Sequence, residues 1–362
     1  MSATWGKNFK VSIFGESHGS HIGIVIDGIT PGVKIDFENI LEEMGRRAPG
    51  KSNISTSRKE EDFPEIISGL FNGYTTGAPL TAIIKNKDHR SKDYSQLKDI
   101  MRPGHADYTS KIKYNAYNDY RGSGHFSGRI TAPLVFAGAI AKQILQEKGI
   151  YIASHILSVG NIKDDRFSEG TLSKEEFDKL KKKKLALLNS NKEDEIRELI
   201  LKTKEEGDSL GGVVECAAIG IEAGIGDPFF DSVESVISSI VFSVPAVKGI
   251  EFGLGFDMSK MKGSEANDEF YFDDNKNVKT KTNHNGGING GITNGMPVIF
   301  SAAIKPTSSI AKKQDTINIR TKENTQLELT GRHDPIIVPR VMVVLESVMA
   351  IAILDLIYGS RI

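Results

Sequence analysis

The sequence contains a single cysteine, Cys216, among its 362 residues. An internal disulfide is therefore excluded, and this suits a chain that works in a reducing compartment. Cys216 lies in a β-rich apolar run with no histidine nearby, which argues against a thiol nucleophile. The eight histidines form no pair at the spacing typical of zinc ligands, so the sequence predicts no metal site.

An excess of charge of one sign is also missing, because the formal net charge is −1. The chain as a whole is therefore not attracted to nucleic acid or to anionic membranes. The most basic run, residues 181–184, consists of four lysines, but glutamates and aspartates follow closely. A solvated helix is the favoured interpretation of this run, and a nucleic-acid-binding patch is the alternative.

Targeting signals and long uncharged apolar runs are absent as well. The first residues lack the basic, apolar and small-residue order of a signal peptide. The longest apolar stretch, residues 338–356, includes Arg340, Glu346 and Asp355, which favours a buried helix over a membrane span. These features predict a cytoplasmic protein without a membrane partner.

Strand signals occur along most of the chain. The predicted strands lie at 10–14, 22–26, 65–70, 79–84, 212–218, 247–252 and 298–304. The first two flank residues 15–19 and predict a β-hairpin. The dipeptide Asn294-Gly295 predicts a two-residue hairpin turn between Ile292 and Val298. Residues 91–127 show little periodicity and are interpreted as a long functional loop region.

Helical patterns predict how the strands are covered. Residues 37–47 have helical spacing with Asp36 as the N-cap. Residues 132–148 and 338–358 are apolar on nearly all faces, which predicts a helical layer buried between sheets. Residues 161–206 are rich in glutamate and lysine and predict a charged helical excursion. No repeat or proline-rich linker marks a boundary, so the sequence predicts one α+β domain over 1–362, mainly antiparallel.

The 36 glycines cluster beside histidine, arginine, asparagine and serine. Glycine allows a backbone to approach a ligand closely, although any single pair is more simply explained as a tight turn. Three clusters contain a histidine: GESHG at 15–19, RPGHAD at 102–107 and RHDP at 332–335. Histidine exchanges protons near neutral pH, which suits acid–base catalysis, but a lone histidine in a turn is more often structural.

Three further segments are suited to holding a phosphate or a cofactor. They are RGSGHFSGR at 121–129, NHNGGINGG at 283–291 and KPTSS at 305–309. None matches a Walker motif or opens a strand–helix unit with Gly-x-Gly-x-x-Gly, which disfavours those nucleotide folds. Ser17 adjoins His18, but neighbours on a strand face opposite sides, so a serine-hydrolase site is also disfavoured.

Taken together, these motifs resemble the chorismate synthase family. The resemblance is carried, in order, by residues 15–19, 102–107 and 332–335. It continues through DHRSKDY at 88–94, AVKG at 246–249, 283–291 and 305–309, and covers essentially the entire chain. It implies a β-α-β sandwich with mainly antiparallel sheets around a central helical layer, usually assembled as a homotetramer.

The resemblance also implies a reaction. Reduced FMN supports the anti-1,4-elimination of phosphate from 5-enolpyruvylshikimate 3-phosphate, giving chorismate, the last common precursor of the aromatic amino acids. His18 resembles the histidine that protonates the departing phosphate, and His105 the one placed against the reduced flavin. Asp334 resembles the carboxylate implicated in removing the C6 proton. The resemblance leaves open whether NADPH supplies the reducing equivalents through this same chain.

Binding residues are implied on the same basis. The residues implied for the substrate are Ser17, Arg47, Arg102, Ser127, Arg129 and Arg332. The residues implied for FMN are His125, Phe126, Ser127, Ala246, Gly290, Lys305, Pro306, Thr307, Ser308, Ser309 and Arg332. Arginine forks suit the two carboxylates and the phosphate of the substrate better than lysine would.

The chain departs from the common family pattern at residues 125–130. It has HFSGRI where relatives have RSSARE, so one cation becomes titratable and one hydroxyl becomes an aromatic ring. Ile336 stands where a cysteine is frequent, and residues 45–50 contain one arginine fewer than many relatives. Two rival functions remain: a flavin-dependent oxidoreductase using the same pocket, and a non-catalytic phospholigand-binding protein derived from the fold.

Overall fold

The computed structural model describes residues 3–50, 62–87, 97–329 and 334–360. The strands are β1 Thr4–Trp5, β2 Lys10–Gly15, β3 His21–Asp27, β4 Pro64–Ser68, β5 Leu70–Phe71, β6 Tyr74–Thr75, β7 Leu80–Lys85, β8 Tyr151–Val159, β9 Ile162–Lys163, β10 Gly212–Ile219, β11 Val247–Phe252, β12 Phe270–Phe272, β13 Val278–Thr280, β14 Ile288–Asn289, β15 Ile292–Thr293, β16 Val298–Ile304, β17 Gln314–Asn318 and β18 Glu323–Leu327. The helices are α1 Phe37–Arg47, α2 Asp107–Lys113, α3 Thr131–Glu147, α4 Lys174–Lys182, α5 Glu193–Glu205, α6 Val233–Val241, α7 Gly263–Ala266 and α8 Val338–Gly359.

The first large sheet is antiparallel, with the strand order β1-β2-β3-β7-β4. The predicted hairpin is confirmed, because β2 pairs with β3 in a register that runs from Lys10 opposite Asp27 to Gly15 opposite Ile22. In β3, Ile24 and Ile26 are buried on one face, as the alternation of a strand that covers a core requires.

The second large sheet is also antiparallel, with the order β11-β16-β10-β8-β9. Nearly every residue of β8 is buried, which requires cover on both faces of the strand. Helix α8 packs against β8 and β10, and α4 also packs against β8. Phe177 of α4 belongs to a separate apolar cluster with Ala153 and Ala217. The charged excursion therefore lies against this sheet.

A polar cluster fastens the start of the excursion to the second sheet. The Glu215 carboxylate accepts hydrogen bonds from Phe167 N at 2.7 Å and from Arg166 Nη1 at 3.1 Å, and lies 2.9 Å from His155 Nε2. Burial disfavours the charged form of His155, but Asp164 and Glu215 outweigh it and raise the pKa of His155. The excursion is thus anchored by ion pairs as well as by apolar contacts.

The central layer consists of helices packed between the two sheets. Helices α3 and α8 pack against each other; α3 also contacts β2, β3 and β7, and α8 contacts the second sheet. Helix α8 is the one helix of the described residues with the length and hydropathy of a membrane span, but 83% of its most apolar window is buried inside the protein. The sandwich of two antiparallel sheets around a helical layer confirms the α+β fold predicted from the sequence.

The crossing of α3 and α8 depends on a glycine. A Cβ atom at Gly138 would lie 2.1 Å from Cβ of Ser347. We expect Gly138→Ala to lower the free energy of unfolding by about 1–3 kcal/mol, because overpacking outweighs the better helix propensity of alanine. Chemical denaturation measures this, with Gly263→Ala as the control, since a Cβ there meets open space. Equal stability of both variants would contradict the close crossing.

A buried cluster of charges also crosses the helical layer. Glu346 of α8 accepts hydrogen bonds from Arg46 Nη1 at 2.6 Å, Lys142 Nζ at 2.7 Å and Ser154 Oγ at 2.8 Å. Lys142 also donates to Glu43 at 2.7 Å. Burial would raise the pKa of Glu346, but Arg46 and Lys142 hold it well below its usual range. The cluster joins α1, α3, α8 and β8, and so fixes the end of α1.

The helix at 37–47 was predicted correctly, and Asp36 caps it by accepting from Asn39 N at 3.1 Å. The hairpin turn predicted at Asn294-Gly295 was wrong, because β15 pairs with β14 whereas β16 pairs with β10 and β11. Gly295 does adopt a φ of 87°, but the turn passes between two sheets. The long loop predicted at 91–127 contains α2 and a 3₁₀ segment, Arg121–Phe126, in its described part.

Candidate functional site

The turn between β2 and β3 carries Ser17 and His18, which are both buried. Ser17 Oγ donates to the Gly122 carbonyl at 2.8 Å and lies 3.2 Å from His18 Nδ1. Because these residues lie in a turn and not in a strand, the expectation that their side chains face opposite ways was wrong. The hydroxyl proton of Ser17 is used by the carbonyl, so His18 Nδ1 is the donor to Ser17.

Gly122 is the point where the 121–129 segment touches this turn. Its φ is 54°, and a Cβ there would lie 2.1 Å from Cε1 and 2.2 Å from Nδ1 of His18. Glycine is therefore required for two reasons, a left-handed backbone and direct contact with the imidazole ring. The segment is held to the turn at a second point, where Ser17 N donates to the Gly124 carbonyl at 3.1 Å.

We expect Gly122→Ala to displace the His18 ring and to lower kcat by about 10- to 100-fold, the scale of a misplacement of about 1 Å. Gly128→Ala is the matched control, since Gly128 belongs to the same segment and a Cβ there meets open space. Steady-state kinetics on both variants, with far-UV circular dichroism to verify folding, measure the difference. Equal kcat values in the two variants would show that the contact with His18 has no consequence.

The other side chains of the segment also contact protein groups. Nδ1 of His125 donates to the carbonyl of Gly15 at 2.9 Å. The centroid of the Phe126 ring lies 6.0 Å from the centroid of the Tyr114 ring. Ser127 Oγ accepts from Arg129 N at 3.3 Å. His125 therefore ties the segment to the end of β2, and these contacts account for the histidine and the aromatic ring that depart from the family pattern.

Two buried arginines share one carboxylate. Arg47 Nη2 and Arg129 Nη1 each donate to a different oxygen of Asp62. Burial would raise the pKa of Asp62, but the two guanidinium groups lower it, so the carboxylate is ionised. Burial, with Arg340 and Arg129 nearby, lowers the pKa of Arg47 to about 10, and Asp62 offsets part of this effect. Two guanidinium groups are thus buried together at this point of the fold.

Asn86 connects these arginines to the histidine turn. Its Nδ2 donates to the carbonyls of Glu16 at 3.0 Å and Gly19 at 2.9 Å. Its Oδ1 accepts from Arg129 Nε at 3.0 Å. One buried amide therefore fixes the distance between the turn that carries His18 and the Arg129 side chain.

A second cluster forms around Arg102. Its Nε and Nη2 donate to the two oxygens of Asp107, each at 2.7 Å, and Nη2 also donates to Ser123 Oγ at 2.9 Å. His105 Nδ1 lies 2.9 Å from Asp107 Oδ1. Burial would raise the pKa of Asp107, but hydrogen bonds from Arg102 and His105 hold it well below its usual range. An ionised Asp107 can only accept, so Nδ1 of His105 carries a proton.

The 305–309 segment lies against this second cluster. Arg102 Nη1 donates to Ser309 Oγ at 3.2 Å, and Lys305 Nζ donates to the carbonyl of Gly104. Lys305 N donates to the carbonyl of Ala246 at 2.9 Å. Residues 102–107, 246 and 305–309, which are far apart in the sequence, are therefore brought together.

Asp334 joins both clusters. Its carbonyl accepts from Thr307 Oγ1 at 3.0 Å, and its carboxylate accepts from Arg340 Nη1 at 2.8 Å. Arg340 Nε donates in turn to the carbonyl of Arg47 at 3.1 Å. The first turn of α8 thus orients Asp334 and connects it to the end of α1.

A cavity of about 180 Å³ adjoins the second cluster. Its walls are Leu97, Lys98, Met101, His105, Ala106, Asp107, Ser110, Lys111, Ala116, Asn118, Asp119, Tyr120, Ser123 and Phe126. His105 and Ser123 therefore face a space that a ligand or solvent can enter. Within the described ranges, no group of three His, Cys, Asp or Glu side chains is arranged to hold a metal ion.

Some predicted site residues are not joined to these clusters. Gly290 lies in the turn between β14 and β15, and its neighbour Gly291 accepts from Val233 N at 2.9 Å, beside the start of α6. The described hydrogen bonds tie this turn to the start of α6 and not to the clusters of His18 and His105. Arg332, and the motif residues 88–94, lie outside the described residues.

Four residues of the clusters were missed from the sequence: Asp62, Asn86, Ser123 and Arg340. Asn86 follows a predicted strand and Arg340 follows the RHDP motif, so their positions gave a weak signal. Ser123 was quoted within a motif but was assigned no role. Asp62 carries no local signal, because its partners Arg47 and Arg129 are 15 and 67 residues away.

Comparisons with known proteins agree with this geometry. A family model described as chorismate synthase matches residues 9–358. The chorismate synthase of Methanocaldococcus jannaschii is 46% identical over 361 residues, which cover 98% of this chain and 95% of that protein. The chorismate synthase of Pyrococcus abyssi is 44% identical over 99% of this chain and 98% of its own length. A crystal structure of chorismate synthase superposes with a TM-score of 0.73 at 28% identity, covering 97% of this chain and 92% of that one.

Proposed function

The chain belongs to the chorismate synthase family and is a carbon–oxygen lyase, and on this premise we propose that it converts 5-enolpyruvylshikimate 3-phosphate to chorismate and phosphate with reduced FMN. One observation carries the proposal. The residues that the family resemblance implies for chemistry, His18, His105 and Asp334, belong to two clusters that Arg340 and the 121–129 segment connect. A binding protein without catalysis would not need this arrangement.

The substrate is an anion with two carboxylates and a phosphate, so its binding requires several cations. Arg47 and Arg129 meet at the Asp62 carboxylate, and Arg102 is paired with Asp107. We assign the first two to bidentate contacts with the substrate, because a guanidinium fork matches planar and tetrahedral anions. Ser17, Arg102, Ser127 and Arg332 complete the proposed substrate site.

His18 is proposed as the donor of the proton that the departing phosphate takes. A cationic imidazole stabilises the negative charge that grows on the leaving group. The Ser17 hydroxyl and the Gly122 backbone fix the orientation of the ring. Asp334 is proposed to accept the proton from C6, and Arg340 fixes its carboxylate. Elimination then breaks the C6–H and C3–O bonds. Double bonds form between C1 and C6 and between C2 and C3, while the original double bond between C1 and C2 becomes a single bond.

The donors around residues 305–309 fit a phosphate-bearing cofactor. Lys305 supplies a cation at the Gly104 carbonyl, Ser309 Oγ accepts from Arg102, and Thr307 Oγ1 donates to the Asp334 carbonyl. Ser308 adds a third hydroxyl to the same segment. The residues proposed to hold FMN are His125, Phe126, Ser127, Ala246, Gly290, Lys305, Pro306, Thr307, Ser308, Ser309 and Arg332. Reduced FMN, when bound, supplies electron density to the substrate and takes it back. His105 is proposed to face it and to favour its protonation state.

The proposed function extends to the domain organisation, the assembly, the cellular location and the source of reducing equivalents. We propose that residues 1–362 form one domain, that four copies assemble, and that the enzyme works in the cytoplasm. NADPH is proposed as an indirect or intrinsic source of reducing equivalents. An assay of NADPH oxidation with the purified chain and FMN, without any added reductase, decides between these two sources.

The proposed reaction is tested by its products. Purified protein is incubated without oxygen with 5-enolpyruvylshikimate 3-phosphate and chemically reduced FMN, and chorismate absorbance and free phosphate are followed together. Equal amounts of the two products are expected. Phosphate without chorismate would indicate a phosphatase, and the absence of both products, with substrate and FMN bound, would refute the proposed function.

We expect His18→Ala and His105→Ala each to lower kcat by roughly 10- to 1000-fold, which lies around the lower end of what general acid–base catalysis contributes. His21→Ala is the control, because His21 begins β3 outside both clusters. Turnover with reduced FMN measures all three. Rates like those of the unsubstituted protein in both cluster variants would refute the roles assigned to these two histidines.

A further inference from the structure

The backbone at Ser123 has an unusual conformation. Its φ is 71°, in the left-handed region that glycine adopts readily and that other residues enter at a cost. Two neighbours in the same turn, Gly122 and Gly124, are glycines with φ of 54° and 53°. A serine in this position needs a reason, and its hydroxyl provides one.

The Ser123 hydroxyl lies between two functional side chains. Its Oγ accepts from Arg102 Nη2 at 2.9 Å and lies 3.1 Å from His105 Nε2. Arg102 Nη2 lies 2.7 Å from Asp107 Oδ1, 2.9 Å from Ser123 Oγ and 3.2 Å from His105 Nδ1. Its two hydrogens go to the two nearer oxygens, because Nδ1 donates its own proton to Asp107 and does not accept. The hydroxyl proton of Ser123 therefore remains available for His105 Nε2.

The other ring nitrogen of His105 is fixed by Asp107. Nδ1 carries a proton that it donates to the ionised carboxylate at 2.9 Å. In the neutral ring Nε2 is then an acceptor, and Ser123 is the donor it faces. If Nε2 were also protonated, the ring would be a second cation beside Arg102. Ser123 Oγ would then accept from both Arg102 Nη2 and His105 Nε2, and its hydroxyl proton would no longer have His105 as an acceptor.

We propose that Ser123 is a positioning residue that fixes the orientation of the His105 ring and the tautomer of its neutral form, with the proton on Nδ1 and the lone pair on Nε2. It acts through His105 and need not touch the substrate. The consequence for turnover rests on the function proposed above, whereas the protonation of the ring is a property of the protein alone. The strained backbone is compensated by the two hydrogen bonds that the hydroxyl makes.

Two variants separate the hydroxyl from the backbone. Ser123→Gly removes the hydroxyl and relieves the left-handed conformation, whereas Ser123→Ala removes the hydroxyl and keeps the Cβ atom. Both leave the other charged and titratable groups near the ring unchanged. These groups are Arg102, Asp107, Lys305, Lys98, Lys111, Asp119 and Tyr120.

The measurement is long-range ¹H–¹⁵N NMR of the full chain with labelled histidine, using His105→Gln to assign the ring. In the unsubstituted chain we expect the neutral His105 ring to carry its proton on Nδ1. In both variants we expect the Nε2 signal to move toward that of a nitrogen without a hydrogen bond. The thermal midpoint of Ser123→Gly should equal or exceed that of the unsubstituted chain.

Several results would overturn the proposal. An unchanged ring spectrum in both variants would show that the hydroxyl does not act on His105, and a change only in Ser123→Gly would assign the effect to the backbone. A neutral ring protonated at Nε2 would contradict the geometry. If the ring spectrum changes in both variants but kcat changes in neither, Ser123 positions the ring as proposed and His105 loses its role in the proposed function.

Discussion

Replacement of Asp334 by asparagine should lower kcat by about 10²- to 10⁴-fold, the contribution of a well-placed general base. Asparagine has nearly the same shape but its amide does not accept a proton, so removal of the C6 proton loses its acceptor. FMN binding should persist, because the Asp334 group that Thr307 contacts is the backbone carbonyl, which the variant keeps. Turnover and FMN titration, measured on the same preparation, test both statements.

The control for this variant is Asp274→Asn, which changes an exposed aspartate in the turn between β12 and β13. It should retain full kcat. Unchanged turnover in Asp334→Asn would remove the carboxylate from the mechanism and would favour the non-catalytic phospholigand-binding protein. Loss of FMN binding would show instead that the Asp334 side chain supports the cofactor site.

Replacement of Glu346 by alanine should lower the free energy of unfolding by about 3–5 kcal/mol, because the half-buried Arg46 and the buried Lys142 lose one of their two carboxylate partners in the cluster and keep only Glu43 there. The folded-state pKa of Glu346 lies below the ordinary 4.5, so the carboxylate stabilises the fold above about pH 4.5 and this contribution is lost as the pH falls. Denaturant unfolding at several pH values measures both effects.

The control is Glu175→Ala, which removes an exposed glutamate from the first turn of α4 and should change stability by no more than about 0.5 kcal/mol. The double variant Lys142→Met with Glu346→Leu should recover part of the loss, because apolar side chains replace a buried pair. A Glu346→Ala variant as stable as the control would mean that the buried cluster contributes nothing to the fold.

The parts of the fold that the sequence predicted are those encoded by local patterns. Helices α3 and α8 are apolar on nearly all faces, and only a buried layer accommodates such helices. The alternation in β2 and β3 specified their hairpin. The dipeptide Asn294-Gly295 did not predict the hairpin correctly, because pairing partners are chosen by the packing of whole sheets and not by a local turn signal. Strand β16 pairs with β10 and β11 instead of β15.

The candidate site was predicted in part for a related reason. Motif residues such as His105, Asp107 and Arg102 lie within six positions of one another, so their contact follows from proximity. Asp62 and Asn86 act across the fold, and only the packed sheets reveal that they hold Arg129. The contact between Ser17 and His18 was not anticipated, because the residues lie in a turn where strand alternation does not apply.

The most direct test of the lyase is the amount of reductant consumed per chorismate formed. The protein, 5-enolpyruvylshikimate 3-phosphate and a limiting amount of reduced FMN are mixed without oxygen, and flavin absorbance is followed together with chorismate. The account predicts many molecules of chorismate per flavin, with the flavin still reduced when the substrate is exhausted. Oxidation of one reduced flavin for each molecule of product would contradict it and would identify a flavin-dependent oxidoreductase.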